Sequence, residues 1–261
     1  SNLFITGGPG TGKSFTLKRI IAALEEKHGP GTVLVCAPTG IAAILVGGQT
    51  MHSRPGPGMA GDVKAFGNMW GSKDLWRGLK TIVIDEISMA DAEFLDFYEA
   101  QVRDMITYNA PPNYNANRPF GGLQIIFCGD FSQLPPVAMS DASLKTTDGI
   151  YENWLQINTG ADGQPLETPN LPLGLKEHKG MYAFQSACWR DADFEAIELQ
   201  KSYRTGNPLL LNALHALRDG KGSHPDVLEL VRQTDRPLPP RDDGIKPTIL
   251  FPTNKAADDL N

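Results

Sequence analysis

The sequence predicts an α/β fold in which helices cover both faces of a parallel sheet. Three observations lead there. Short β-branched apolar runs recur at "NLFITG", "TVLVCAPT", "TIVIDE" and "LQIIFCGD", each ending in a polar or turn group. None alternates apolar with polar residues as a strand with one wet face does, so each is expected to be buried on both sides. Segments with helical spacing separate the runs, and that alternation is the pattern of an α/β domain.

The first run opens into glycines, and Leu17, Ile20, Ile21 and Leu24 follow at i, i+3, i+4 and i+7, one face of a helix that Gly29-Pro30-Gly31 stops. After the third run, "SMADAEFLDFYEAQVRDMI" puts Phe94, Leu95, Tyr98, Val102 and Met105 at helical spacing, with Ser88 and Asp91 fitting a capping box. Farther on, "AIELQKSYR" reads as a strand leading to Arg204. The 20 prolines and 27 glycines gather at 54–61, 109–122, 160–180 and 236–247, which read as loops or insertions. Residues 141–180 show no clear period and read as one long loop or insertion.

With 261 residues, 41% hydrophobic and 21% charged, the chain has room for one large domain or one domain and part of another. No apolar run approaches the roughly 18–20 residues of a membrane span, and "SNLFITGGPG" lacks the basic start of a signal peptide. The reading is an intracellular protein: nuclear or mitochondrial in a eukaryote, cytoplasmic in a bacterium or virus. Twenty-four basic against thirty acidic residues give a net charge of −6, which does not advertise nucleic-acid binding. A local donor-lined groove would suffice for a single strand. Cys36 and Cys128 lie inside strand-like runs and read as small buried hydrophobes, and the five histidines have no metal-type spacing, so no structural zinc is expected.

Three motifs carry chemistry. "GGPGTGKS" fits the phosphate-loop pattern between a strand and a helix. Gly8, Pro9, Gly10, Thr11 and Gly12 would cradle phosphates through the backbone, Lys13 would reach the β- and γ-phosphates of ATP, and Ser14 would hold Mg²⁺. In "IVIDE", Asp85 and Glu86 at a strand end suit a division of labour, Asp85 orienting Mg²⁺ and Glu86 polarising the attacking water. A solvated acidic strand end is the plainer alternative. In "GDFSQLPPV", Asp130 and Gln133 end another strand, and a neutral amide there can hydrogen-bond both γ-phosphate and water; a proline-stiffened polar turn is the alternative.

The set "FITGGPGTGKS", "APTGIAAILVGGQTMHS", "IVIDEISMADAEFLD", "FGGLQIIFCGDFSQLPPV", "FQSACW", "ELQKSYRT" and "ILFPTNKAADDLN" resembles the petite-integration-frequency (Pif) family of DNA helicases, relatives of RecD in superfamily 1B. The matches fall in the family's order over nearly the whole chain. The resemblance implies two RecA-like domains that clamp ATP and walk 5′ to 3′ along single-stranded DNA, unwinding duplex in DNA repair, recombination or telomere maintenance. Residues 1–53 and 79–194 would form the first RecA-like domain, 54–78 a small wedge insertion, and 195–261 the junction and the truncated start of the second domain. Implied partners are single-stranded and forked duplex DNA, with no membrane and a monomeric chain.

The same resemblance implies strand-phosphate contacts at Pro38, Thr39 and Gly40, then at Thr50, His52 and Ser53, and in the second domain at Thr253 and Asn254. A threonine and glycine turn can donate to phosphate without a basic side chain. His52 reads equally as a hydrogen-bonded structural histidine. Arg204 would reach the γ-phosphate at the junction, positioned by the second domain; a surface arginine paired with an acid is the alternative. The pattern is departed from after "HS", where "RPGPGMAG" replaces the family's frequent aromatic, and Trp70 and Trp76 would serve the wedge as core. Two other functions remain open at this level. One is a P-loop phosphotransferase acting on a small acceptor. The other is a nucleotide-dependent DNA-binding module, inactive as a fragment.

Overall fold

A computed structural model of the chain describes residues 1–51, 78–107, 117–136 and 182–236, with Trp76, Asn115, Ile249, Phe251, Ala257 and Asp258 singly. The chain divides into two compact units, residues 1–206 and 207–261. Of the residues 54–78 expected as a wedge insertion, 54–75, including Trp70, and 77 lie outside the described residues, as do 141–180, expected as a loop or insertion, and His52, Ser53, Thr253 and Asn254.

The first unit is built on six parallel strands: β1 (Asn2–Gly7), β2 (Val33–Ala37), β3 (Gln49–Thr50), β4 (Thr81–Ile84), β5 (Gln124–Cys128) and β6 (Phe194–Leu199). Their spatial order is β3-β2-β4-β5-β1-β6, and every pairing is parallel. This is the expected α/β fold. Helix α1 (Lys13–His28) links β1 to β2, α2 (Gly40–Val46) links β2 to β3, and α3 (Ala92–Thr107) and α4 (Ala187–Asp191) precede β5 and β6.

Alternate residues along each central strand supply opposite faces of the sheet, as the two-residue period of a strand requires. Leu34, Cys36, Ile82, Ile84, Ile125 and Phe127 pack with Leu95, Tyr98, Val102 and Met105 of α3. Their neighbours Val33, Val83, Ile126 and Cys128 pack with Leu17, Ile20, Ile21 and Leu24 of α1 on the other side. Both stripes are therefore used, which explains strands that read as unbroken apolar runs. Burial pushes the Cys36 thiol up to about 12 and raises that of Cys128 as well, so both behave as small core hydrophobes. Trp76 is fully buried in the α3-side cluster, so it belongs to the core of this unit.

Two local features differ from the sequence reading. Ser88 does not cap α3: it sits in a 3-10 turn, Ile87–Met89, and the helix starts at Ala92 with Asp91 Oδ1 accepting from the Phe94 N–H at 3.4 Å. The extra turn follows from Glu86, whose left-handed backbone sends the chain round before a helix can begin. The segment expected as the junction from residue 195 begins as β6, an edge strand bonded along β1, and the chain divides after Gly206.

The second unit contains α5 (Pro208–Arg218) and α6 (Pro225–Thr234). Asn207 caps the first through Oδ1, and His224 Nδ1 caps the second by accepting from Asp226 N–H at 3.2 Å; proline stands at the start of each helix, where its missing N–H costs nothing. Ala213, Ala216 and Val227 form their shared core. No helix among the described residues is long and apolar enough to cross a membrane.

In the turn Pro119–Gly122, Phe120 is buried with φ of 54°, and its N–H donates to Glu99 Oε1 at 2.9 Å. Arg103 lies 3.4 Å from the same oxygen, yet burial outweighs that attraction and holds the Glu99 carboxyl above its usual range. Folded Glu99 thus keeps its proton to higher pH than the unfolded chain, so its contribution is greatest below the unfolded carboxyl pKa and is lost as pH rises through the folded one. Glu99→Gln keeps an acceptor for Phe120, and its melting temperature relative to the parent should climb between about pH 4 and pH 8. Glu99→Ala strands the Phe120 N–H and should cost about 1–3 kcal/mol. Thermal unfolding across this range checks both, and a pH-independent difference for Glu99→Gln would contradict the argument.

Candidate active site

Because the strands are parallel, the loops after β1, β4, β5 and β6 all leave from one edge of the sheet, the edge where open α/β sheets bind ligands. The loop after β1 turns through Gly10 and Gly12, with φ of 77° and 87°, a conformation that costs glycine little. Thr11 is buried and its Oγ1 donates to the Gly8 carbonyl at 2.9 Å, closing the loop on itself. Lys13 Nζ reaches back over the loop to the carbonyl oxygens of Gly7 at 2.9 Å and Gly8 at 3.3 Å. The next residue, Ser14, donates from Oγ to Asp85 Oδ2 at 3.3 Å across from the end of β4.

Asp85 is 3% exposed, and its other oxygen accepts from the Glu86 N–H at 3.0 Å. Its own N–H is taken by the Cys36 carbonyl of β2 at 2.9 Å, so the backbone is pinned to the sheet while Ser14 and Glu86 each hold one carboxylate oxygen. Glu86 adopts φ 52° and ψ 42°, a left-handed conformation rare for a residue with a side chain. Burial holds the half-buried Glu86 carboxyl above its usual range, Asp85 and Asp130 add to the rise, and Lys13 opposes it. Such a shift brings a carboxylate closer to the basicity a proton acceptor needs near neutral pH.

The turn after β5 is carried by Asp130, which is 1% exposed. Its carboxylate accepts from Ser132 N–H at 3.1 Å and from Gln133 Nε2 at 3.0 Å, while Gln133 N–H donates to the Asp130 carbonyl at 2.9 Å. Gln133 is exposed, with its amide nitrogen engaged and its carbonyl oxygen facing away from that bond. The turns after β4 and β5 are in contact, since a Cβ on Gly129 would lie 3.0 Å from the Ile87 nitrogen.

Arg204 comes to the same edge after β6, the strand expected to lead to it. Tyr203 N–H donates to the Gly10 carbonyl at 2.8 Å, and Ser202 Oγ donates to the Pro9 carbonyl at 3.3 Å. The resemblance implies positioning of Arg204 by a second domain, whereas these contacts come from the first unit itself. The strand expected in "AIELQKSYR" is β6, but nothing in the sequence names its neighbour; pairing of Gly7 with Leu199 is what brings Ser202 and Tyr203 to the loop.

On the other side of β4, Pro38, Thr39 and Gly40 follow β2, and Thr50 ends β3 opposite Ala37. Thr39 Oγ1 caps α2 by accepting from Ala42 N–H at 3.3 Å, which leaves its hydroxyl proton available to an outside acceptor. The described strand-contact candidates thus lie together, with β4 and β5 between them and the strand that carries the phosphate loop.

These residues fit a magnesium nucleotide. Ser14 and Asp85 are hard oxygen ligands in contact, as Mg²⁺ prefers, and a Cβ at Gly12 would stand in open space at the start of α1, so the helix end is unobstructed. The sequence model described as PIF1-like helicase matches residues 1–153. The chain belongs to that family. The ATP-dependent DNA helicase PIF1 of Saccharomyces cerevisiae is 34% identical over 266 residues, an alignment covering 100% of this chain and 26% of that protein. Among solved structures, the Pif1 helicase of Candida albicans superimposes with a TM-score of 0.69 at 30% identity, covering 98% of this chain and 49% of that one. The Bacteroides Pif1 helicase in complex with ADP-AlF3 and single-stranded DNA gives 0.59 at 27% identity, covering 91% and 47%. The chain therefore spans about a quarter of the yeast protein and about half of the solved chains.

The left-handed conformation of Glu86 yields a measurable consequence. Asparagine tolerates that conformation better than glutamate, and the exchange also removes a carboxylate that burial disfavours. Glu86→Asn should raise the stability of the first unit by about 1 kcal/mol, or roughly 2–4 °C in melting temperature for a domain of this size. A lower melting temperature would show that the glutamate side chain itself holds the turn.

Proposed function

We propose that this chain is the nucleotide-hydrolysing and strand-gripping part of an ATP-dependent DNA helicase, which moves 5′ to 3′ on single-stranded DNA and opens forked duplex as a monomer. The observation that carries the reading is the meeting of the phosphate loop, the Ser14–Asp85 pair, Glu86, the Asp130–Gln133 turn and the Arg204 segment at one sheet edge. Family membership and a relative bound to a nucleotide analogue and single-stranded DNA support it.

The mechanism follows from where the side chains stand. Backbone N–H groups of Gly8, Gly10, Thr11 and Gly12 donate to the phosphate oxygens, and Pro9 stiffens the curve between them. Lys13, held over the loop by the Gly7 and Gly8 carbonyls, exchanges those partners for phosphate oxygens. Ser14 and Asp85 would hold Mg²⁺, which would withdraw charge from the phosphate oxygens. Glu86 takes the proton of the attacking water as its oxygen bonds to the terminal phosphorus, and the bond to the leaving ADP oxygen breaks. Gln133 hydrogen-bonds water or phosphate through the oxygen that Asp130 leaves free, and Arg204 balances the charge that develops on the transferred group. Pro38, Thr39, Gly40 and Thr50 hold phosphates of the tracked strand, with His52, Ser53, Thr253 and Asn254 as further contacts.

Glu86→Gln in the complete protein should slow ATP hydrolysis by roughly 10²–10⁴-fold and leave nucleotide affinity near parental, because only the proton acceptor is lost. Lys13→Ala should lose both. Steady-state turnover and equilibrium titration with a fluorescent nucleotide separate the two quantities, and parental turnover in Glu86→Gln would remove that residue from the reaction.

Translocation polarity provides the independent check. Duplexes with a 5′ single-stranded tail should be unwound by the complete protein with Mg²⁺ and ATP, and those with a 3′ tail should not. Turnover without stimulation by single-stranded DNA would favour a phosphotransferase instead.

A further inference from the structure

The segment from Leu199 to Arg204 meets the phosphate loop at several points. Gly7 lies beside Leu199 so closely that a Cβ there would come within 2.5 Å of the Leu199 carbonyl oxygen. Similarly, a Cβ on Gly10 would come within 2.5 Å of Arg204 Cβ and 3.0 Å of Ser202 Oγ. Both glycines belong to the phosphate loop, and the Tyr203 N–H to Gly10 bond is a backbone pair that most residues could form. The bond from Ser202 Oγ to the Pro9 carbonyl is different: it depends on which side chain occupies position 202.

One hydrogen bond between two loops leaves a hinge. Two bonds to successive carbonyls, Pro9 and Gly10, fix rotation as well as position, and the ring of Pro9 keeps its own backbone stiff. Arg204 leaves the chain next to this pair of anchors, and its long side chain converts a small rotation of the backbone into a large displacement of the guanidinium.

We propose that Ser202 is a positioning residue for ATP turnover: its bond to Pro9 aims Arg204 at the phosphate end of the nucleotide. This rests on the reading of Arg204 given above, and the experiment tells the two apart. In the complete protein, Ser202→Ala should lower kcat of DNA-stimulated ATP hydrolysis by about 5- to 50-fold, between the loss of one hydrogen bond and the misplacement of a reacting group. KM for ATP should stay within about twofold and the melting temperature close to parental, because the N–H groups facing the phosphates are not substituted and the Tyr203 N–H still holds the Gly10 carbonyl. Ser202→Thr, which keeps the hydroxyl, should restore most of the rate. The decisive measurement is the double variant: Ser202→Ala with Arg204→Ala should be no slower than Arg204→Ala alone, since the serine acts through the arginine. An unchanged kcat in Ser202→Ala, or losses that multiply in the double variant, would overturn the proposal while leaving the Arg204 reading intact. Parental turnover in Arg204→Ala would overturn both.

Discussion

A sheet whose strands all run one way has its polar loops sorted by end. The described hydrophobic clusters fill both faces of the central strands, so these faces offer little room for charge, and the edge reached by the C-terminal ends of the strands is where the motif side chains gather. Lys13, Ser14, Asp85, Glu86 and Asp130 meet there although they are far apart in sequence, because β1, β4 and β5 deliver them to a common line. The parallel direction of the strands is thus the condition for the site, and the apolar faces are the condition for the parallel sheet.

That arrangement leaves carboxylates in poor solvent. Asp85 and Asp130 are almost wholly buried, and each is compensated by donors: Ser14 Oγ and the Glu86 N–H on one, Ser132 N–H and the Gln133 amide on the other. Glu86 has no such set among these bonds, lies between two like charges, and sits in a strained backbone conformation. Unfavourable local energy at this residue, with well-satisfied neighbours around it, is what a group kept reactive by its surroundings looks like.

Much of this was legible in the sequence, for physical reasons that vary by element. The strands β1, β2, β4 and β5 announce themselves as unbroken apolar runs because both of their faces are covered, and the helices α1 and α3 by the period that a single buried face imposes. The phosphate loop shows because its backbone demands glycine at particular places. The start of α3 is hidden because Ser88 and Asp91 match a capping pattern by spacing, while the real start is set by the turn that Glu86 forces. The clasp of Ser202 and Tyr203 on the loop was illegible for another reason. Parallel pairing of β6 with β1 joins residues nearly two hundred positions apart and leaves no mark in either stretch.

The burial of Met51 and Trp76 bears on how such a chain can change over evolutionary time. Both are fully buried in the cluster on the α3 side, and they bracket the stretch from 52 to 75. A stretch whose two ends are held in one core can change in length with little penalty, since each doubling of a closed loop costs only about 0.6 kcal/mol. Selection can then lengthen, shorten or exchange the residues between those two anchors while the sheet is inherited unaltered.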